Sequence, residues 1–154
     1  MRTRLPIGIA LVLALATVAM AADPHVGTWK LNLAKSKYNP GPPPKSQTLK
    51  IQAQENGLKY VSDSVDAEGK ATHNEFAAKY DGKDYAYLGS PDVDTLAYTK
   101  VDANTLDFVT KKGGKEVEKG RAVVSVDGKT RTVTSKGKNA KGQDTSRTSV
   151  YVKQ

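Results

Sequence analysis

The stretch ENGLKYVSDSVDAEGKATHNEFAAKYDGK, residues 55–83, decides the fold. Three turn signals, Glu55-Asn56-Gly57, Asp66-Ala67-Glu68-Gly69 and Asp81-Gly82-Lys83, bracket two runs of strand-forming residues. Asn-Gly and Asp-Gly supply the positive backbone φ that tight hairpins require. Within the second run Thr72, Asn74, Phe76, Ala78 and Tyr80 fall on one phase of a two-residue alternation. A strand buried on one side has that period, and no 3.6-residue apolar repeat competes with it.

The rhythm continues through Asp102-Ala103-Asn104, Gly113-Gly114, Asp127-Gly128-Lys129 and Asn139-Ala140-Lys141-Gly142, with Gly89-Ser90-Pro91-Asp92 dividing the one wide gap. Strands are predicted over 26–33, 46–54, 58–65, 71–80, 84–88, 94–101, 105–112, 115–126, 129–137 and 144–153. Leu49/Ile51/Ala53 and Ala122/Val124/Val126 repeat the alternation. So many short antiparallel strands expose edges unless the sheet closes or splits into two layers. The fold class is therefore all-β: an antiparallel meander barrel of about 8–10 strands, in which chain order equals strand order. A two-layer β-sandwich is the alternative. The segment 35–44 holds Pro40, Pro42, Pro43 and Pro44, which cannot donate ladder hydrogen bonds, and is expected to be a loop.

The N-terminus carries Arg2 and Arg4, an apolar run from Leu5 to Met20, and Ala19-Met20-Ala21 ahead of Ala22-Asp23-Pro24. This is the pattern of a cleaved signal peptide over residues 1–22, leaving residues 23–154 as a single domain in the periplasm of a bacterium or secreted from it. The apolar run is shorter than the roughly 20 residues a bilayer span needs, so no transmembrane segment is expected in the mature chain. The cysteine count is zero. Neither disulfides nor thiol chemistry is available, and stability rests on packing and sheet hydrogen bonds. Charge is uneven: residues 111–154 hold 12 Lys/Arg against 4 Asp/Glu, and residues 22–110 hold 10 against 12. A basic face of this kind either keeps the protein soluble or attracts an anionic envelope polymer or lipid surface; nucleic acid is not the expected partner.

Val26-Gly27-Thr28-Trp29-Lys30-Leu31 resembles the Gly-x-Trp signature that opens the calycin barrels, the lipocalins and fatty-acid-binding proteins. The resemblance implies a lipocalin-like β-barrel whose closed end is built on Gly27 and Trp29, with an arginine beside the indole. Arg147 is the first choice for that arginine, and Arg121 or Arg131 the second. Leu31 and Leu33 would then point inward with Trp29. The longer string from Gly27 through Pro44-Lys45-Ser46, with the Ala78–Lys83 run, is also similar to a group of uncharacterised exported bacterial proteins. Two departures from the fatty-acid-binding pattern stand out. The proline-rich segment replaces a helical lid, and Ser149 occupies the place of the arginine that grips a ligand carboxylate in the last strand. Arg147 shares a face with Ser149 and Tyr151 and could stand in. The more apolar face of that strand, Thr148, Val150 and Val152, favours the opposite phase, with valines inward.

Chemistry-bearing motifs are sparse. His25 and His73 are the only histidines and are expected to be solvated; with no cysteine they make no zinc set, so no metal and no cofactor is expected. No nucleophile elbow or phosphate loop is present, and no catalytic residue is assigned. Tyr60, Tyr85, Tyr87, Tyr98 and Tyr151 fall in or beside predicted strands. An apolar ring with a polar tip suits either a pocket wall or cross-strand packing. The leading reading is a non-catalytic barrel for a small lipophilic or amphipathic ligand, contacted by Tyr60, Tyr85, Tyr87, Tyr98, Arg147 and Tyr151. A barrel filled by its own side chains is the structural rival. A basic surface-interaction protein docking on anionic envelope polymers or lipids is the first functional alternative, and an enzyme the second. If the signal-peptide reading is right, the exported protein begins at Ala22 or Asp23; intact mass of the envelope fraction checks this, and a product retaining Met1 there would contradict it.

Overall fold

Hydrogen bonding passes from each long strand to the next in the computed structural model, which describes residues 21–154. All but the last two residues of the signal-peptide reading lie outside the described residues. The strands are β1 (Gly27–Leu31), β2 (Lys37–Asn39), β3 (Ser46–Gln54), β4 (Gly57–Val65), β5 (Ala71–Lys79), β6 (Tyr85–Leu88), β7 (Thr95–Asp102), β8 (Thr105–Lys112), β9 (Lys115–Val124), β10 (Thr130–Lys138) and β11 (Asp144–Lys153). Sheet order runs β1, β3, β4 and onward in sequence to β11, and β11 pairs back onto β1. The result is a closed antiparallel barrel of ten strands with β2 as an extra strand. Closure removes the exposed edges, and a single sheet sets the sandwich alternative aside. A three-residue 3-10 turn, Leu33–Lys35, is the only helical element among the described residues.

The structure corrects several details of the sequence reading. Lys37–Asn39, expected within a loop, form β2 and pair with Thr148–Ser146. The prolines begin only at Pro40, so the backbone donors of residues 37–39 are free to join the ladder. β1 and β2 lie along the same edge of β11, one strand interrupted by a turn that Asn32 caps through its side-chain oxygen to the Lys35 amide, 3.2 Å. Leu33 begins that turn and is exposed rather than inward. Val126, expected in the strand 115–126, is likewise exposed beyond β9, which ends at Val124 because Ser125 opens a turn in which its carbonyl accepts from the Gly128 amide.

A further detail is the phase of β11. Ser149 and Tyr151 are buried, and Val152 is partly exposed, so the polar face is the inward one. The register explains it: Leu31 pairs with Tyr151 and Trp29 with Lys153, and cross-strand partners share a face. The inward Trp29 and Leu31 thus dictate which side of β11 faces the barrel.

The core is formed by Trp29, Leu49, Leu58, Leu106, Ala78 and Ala122, all with no exposure, together with Ile51, Phe76, Phe108, Val124 and Tyr151. Gly120 makes room inside the wall: a Cβ there would stand 2.6 Å from Phe108 Cζ, and Phe108 is its β8 partner. At the Asn56-Gly57 turn, Asn56 takes the positive φ of 52°, while Gly57 is required because a Cβ would overlap the Ala78 carbonyl. One seam is thin. β6 pairs with β5 through two residue pairs and with β7 through two, whereas β4 and β5 pair along their whole length.

Trp29 sits on the β1–β11 seam. It is fully buried, its Nε1 donates to the His25 carbonyl at 2.9 Å, and the cation over its ring is Lys153, with Nζ 5.2 Å from the ring centroid, where an arginine was expected; Arg147 contacts Ser135 and Glu118 instead. His25, another correction, is buried rather than solvated, held against the core by the Trp29 bond and by Arg131, whose Nε donates to His25 Nδ1 at 3.4 Å. Burial first, and the Arg131 charge second, push the His25 pKa down from 6.5 to about 4. His73 stays exposed beside Asp63, its Nδ1 2.6 Å from Oδ1.

Two outcomes follow from these contacts. Trp29→Ala is expected to cost about 3–5 kcal/mol in denaturant unfolding, and the native protein to emit blue-shifted fluorescence that the unfolded chain loses. Because the folded imidazole titrates below the unfolded one, the unfolded state holds the extra proton between pH 6.5 and 4. Stability is therefore complete above about pH 6.5 and falls towards pH 4, by on the order of 3 kcal/mol from this group alone. Denaturation midpoints measured across that range should slope less steeply in His25→Asn than in the wild type.

Candidate functional site

The interior is not filled. A cavity of about 230 Å³ opens inside the barrel between β3–β5 on one side and β8–β11 on the other. Five of the six residues singled out for ligand contact, Tyr60, Tyr87, Tyr98, Arg147 and Tyr151, line it together. The sixth, Tyr85, shares the inward phase of β6 but stands outside the cavity, its hydroxyl donating to Asp81 Oδ2 at 2.6 Å.

Phe76 on β5 organises the aromatic wall. Its ring stacks on Tyr60 at 4.6 Å between centroids and on Tyr87 at 5.4 Å, and meets Tyr98 tilted at 5.6 Å. Tyr60 is its direct β4 partner and Tyr87 its direct β6 partner, so the stack follows from register. Burial raises the pKa values of Tyr60, Tyr98 and Tyr151 and pushes that of Tyr87 up to about 12. All four hydroxyls are therefore neutral donors at physiological pH. Tyr151 spends its proton on Gln47 Oε1 at 2.7 Å, and Gln47 Nε2 donates in turn to the buried Ser62 hydroxyl at 2.8 Å.

Three charged side chains face this space: Glu118, Arg131 and Arg147. Arg147 Nε donates to Ser135 Oγ at 3.0 Å, and its Nη2 lies 2.9 Å from Glu118 Oε1. That oxygen has no aligned hydrogen bond, so the contact is an ion pair rather than a directed bond. Burial opposes the Arg147 charge, but the Glu118 carboxylate and the surrounding tyrosines hold its pKa above the ordinary value. Arg147 keeps 41% of its side-chain surface accessible. Arg131 differs: it is 2% exposed, and among the described residues no carboxylate lies within salt-bridge distance of it. Two guanidinium groups thus face one carboxylate in the lumen, an arrangement that favours an added anion.

Phe76, Gln47 and Glu118 were not singled out from the sequence as site residues. Phe76 lay on a recognised alternation, and extending the Ala122/Val124 phase backward through Gly120 reaches Glu118. Gln47 carried no such sign. Among the described residues no group of three or more metal-ligating side chains comes together, and no helix is long and apolar enough to cross a membrane.

No protein-family model matches the chain, and no curated protein matches it in sequence. Among solved structures, the zebrafish ileal bile acid-binding protein complexed with cholic acid superposes with a TM-score of 0.50 at 10% identity, over 85% of this chain and 99% of that one. At that identity the likeness concerns the fold alone, and it agrees with the Gly27-Thr28-Trp29 opening: the chain folds as a calycin-like barrel.

Proposed function

We propose that this protein is an exported, non-catalytic barrel that binds a small amphipathic molecule with an acidic group inside its lumen. The observation that carries the reading is Arg131, a fully buried guanidinium at the cavity with no carboxylate partner among the described residues. A buried charge without a counter-ion is costly, and a ligand anion would relieve it. Tyr60, Phe76 and Tyr87 offer stacked ring faces for the apolar part of the ligand. Tyr98 and Arg147 offer donors for the polar part. A cavity of about 230 Å³ lies below the roughly 300–1,000 Å³ typical of drug-sized ligands, so the occupant is smaller than a sterol. The bound cholic acid of the zebrafish protein supports interior binding of amphipathic acids by barrels of this kind. Export rests on the N-terminal pattern of residues 1–22, and the non-catalytic reading on the sequence, which carries no nucleophile elbow or phosphate loop.

Calorimetric titration with small aromatic monocarboxylates and their methyl esters tests the reading. The acids should bind at least tenfold more tightly than the esters, and Arg131→Met should remove most of that preference, with circular dichroism and Trp29 fluorescence showing that the barrel still folds. Equal affinity for acid and ester, or no binding of any member of the panel, would overturn it.

A further inference from the structure

Apart from Arg131 and Arg147, the basic residues of the last third of the chain do not line the lumen. Lys119 on β9 and Lys136 on β10 are direct cross-strand partners on the outer face of the barrel. Like charges directly opposite one another destabilise a sheet, and among the described residues neither lysine forms an ion pair. They sit in a groove of about 1090 Å³ that crosses β8, β9, β10, β11 and β2. The rung between its two outward rows points into the barrel through Phe108, Ser135 and Arg147, leaving backbone as the floor. On the Lys136 row the next partner is Ser146; on the adjacent row Thr134 pairs with Thr148 and Thr148 with Lys37. The groove has one acidic side chain, Asp107, and Arg121 neutralises it through a bidentate contact at 2.6 and 2.9 Å.

We propose that this outer groove is a second binding site, for a linear acidic polysaccharide that lies across the five strands. Three features select that occupant. Lys37, Lys119 and Lys136 give unpaired positive charge along a path of about 14 Å, three strand spacings from β9 to β2. Thr134, Thr148 and Ser146, interleaved with the lysines, supply hydroxyl groups suited to sugar hydroxyls and carboxylates. The site is concave, so a single polymer chain reaches the floor and a flat bilayer does not. Single-stranded nucleic acid is disfavoured because its binding relies on aromatic stacking platforms. The aromatic members of the groove, Phe108 and Tyr38, turn inward, Phe108 into the core and Tyr38 with its hydroxyl 2.9 Å from the buried Ser149 hydroxyl. Phe108 and Arg147 border both spaces, but the lysines and hydroxyls of the groove lie on the outer face, and the proposal stands whether or not the lumen binds a ligand.

The test uses alginate oligosaccharides as the polyuronate probe, with dextran, phosphatidylglycerol vesicles and oligo-deoxythymidylate as comparisons. Wild-type protein should bind alginate with an affinity that falls steeply between 50 and 300 mM salt, roughly as expected for release of several counterions. Lys119→Gln/Lys136→Gln should weaken binding at least tenfold. Lys59→Gln/Lys79→Gln, which removes the same charge from exposed positions of β4 and β5, should change it less than threefold. Binding of carboxylates in the lumen should be unaltered in both variants, which separates failure of this proposal from failure of the lumen reading. Equal loss in the two double variants, equal binding of dextran, or tighter binding of the vesicles or the oligonucleotide than of alginate would each overturn the proposal.

Discussion

The pairing of β1 with β11, three residues long, is the constraint on which the other features rest. It joins Trp29, Lys30 and Leu31 to Lys153, Val152 and Tyr151 and turns an open meander into a cylinder. It also sets phase. Because Leu31 must face the core, Tyr151 faces it too, and with it every second residue back along β11 through Ser149 to Arg147. The guanidinium in the lumen and the valines outside are thus consequences of where the first strand buries its tryptophan. Local hydrophobicity, which would have put Val150 and Val152 inside, yields to a register imposed from the neighbouring strand.

Much of the architecture was legible in the sequence because it is written in turns. Glycine- and asparagine-containing hairpins punctuate the chain, and the strands between them are recovered to within a residue or two at most boundaries. What escaped depends on partners remote in sequence. β2 is a strand only because β11 offers it an edge, and nothing within Lys37–Asn39 announces that. His25 reads as a lone polar residue near a terminus, and its burial comes from contacts with Trp29 and Arg131, the latter 106 residues away. The tyrosines were visible as candidates, and five of the six predicted contact residues do meet around one space. Their organising ring, Phe76, was visible as alternation but not as a centre, since stacking is a property of three strands together. Glu118, the counter-charge to Arg147, needed the inward phase of β9 to be followed across a glycine.

The lumen and the outer wall divide the chain's polar chemistry between them. Inside, hydroxyl, amide and guanidinium groups are mostly spent on each other, through Tyr151 to Gln47 to Ser62 and through Arg147 to Ser135 and Glu118. That network fixes side-chain positions before any guest arrives, which lowers the ordering cost of binding. Outside, on the very next residues of the same strands, Lys119 and Lys136 form no ion pair among the described residues. Alternation of period two allows one short segment, Lys119 to Arg121 or Thr134 to Lys136, to serve both surfaces at once.

The thin seam at β6 gives the barrel a kinetic character that its closed outline conceals. A strand held by two residue pairs on either side gives up few hydrogen bonds when it parts from its neighbours, so opening there costs far less than unfolding the whole barrel. Tyr87, one wall of the cavity, sits on that strand. A local parting of β6 would therefore connect the interior to bulk solvent at a cost well below that of global unfolding.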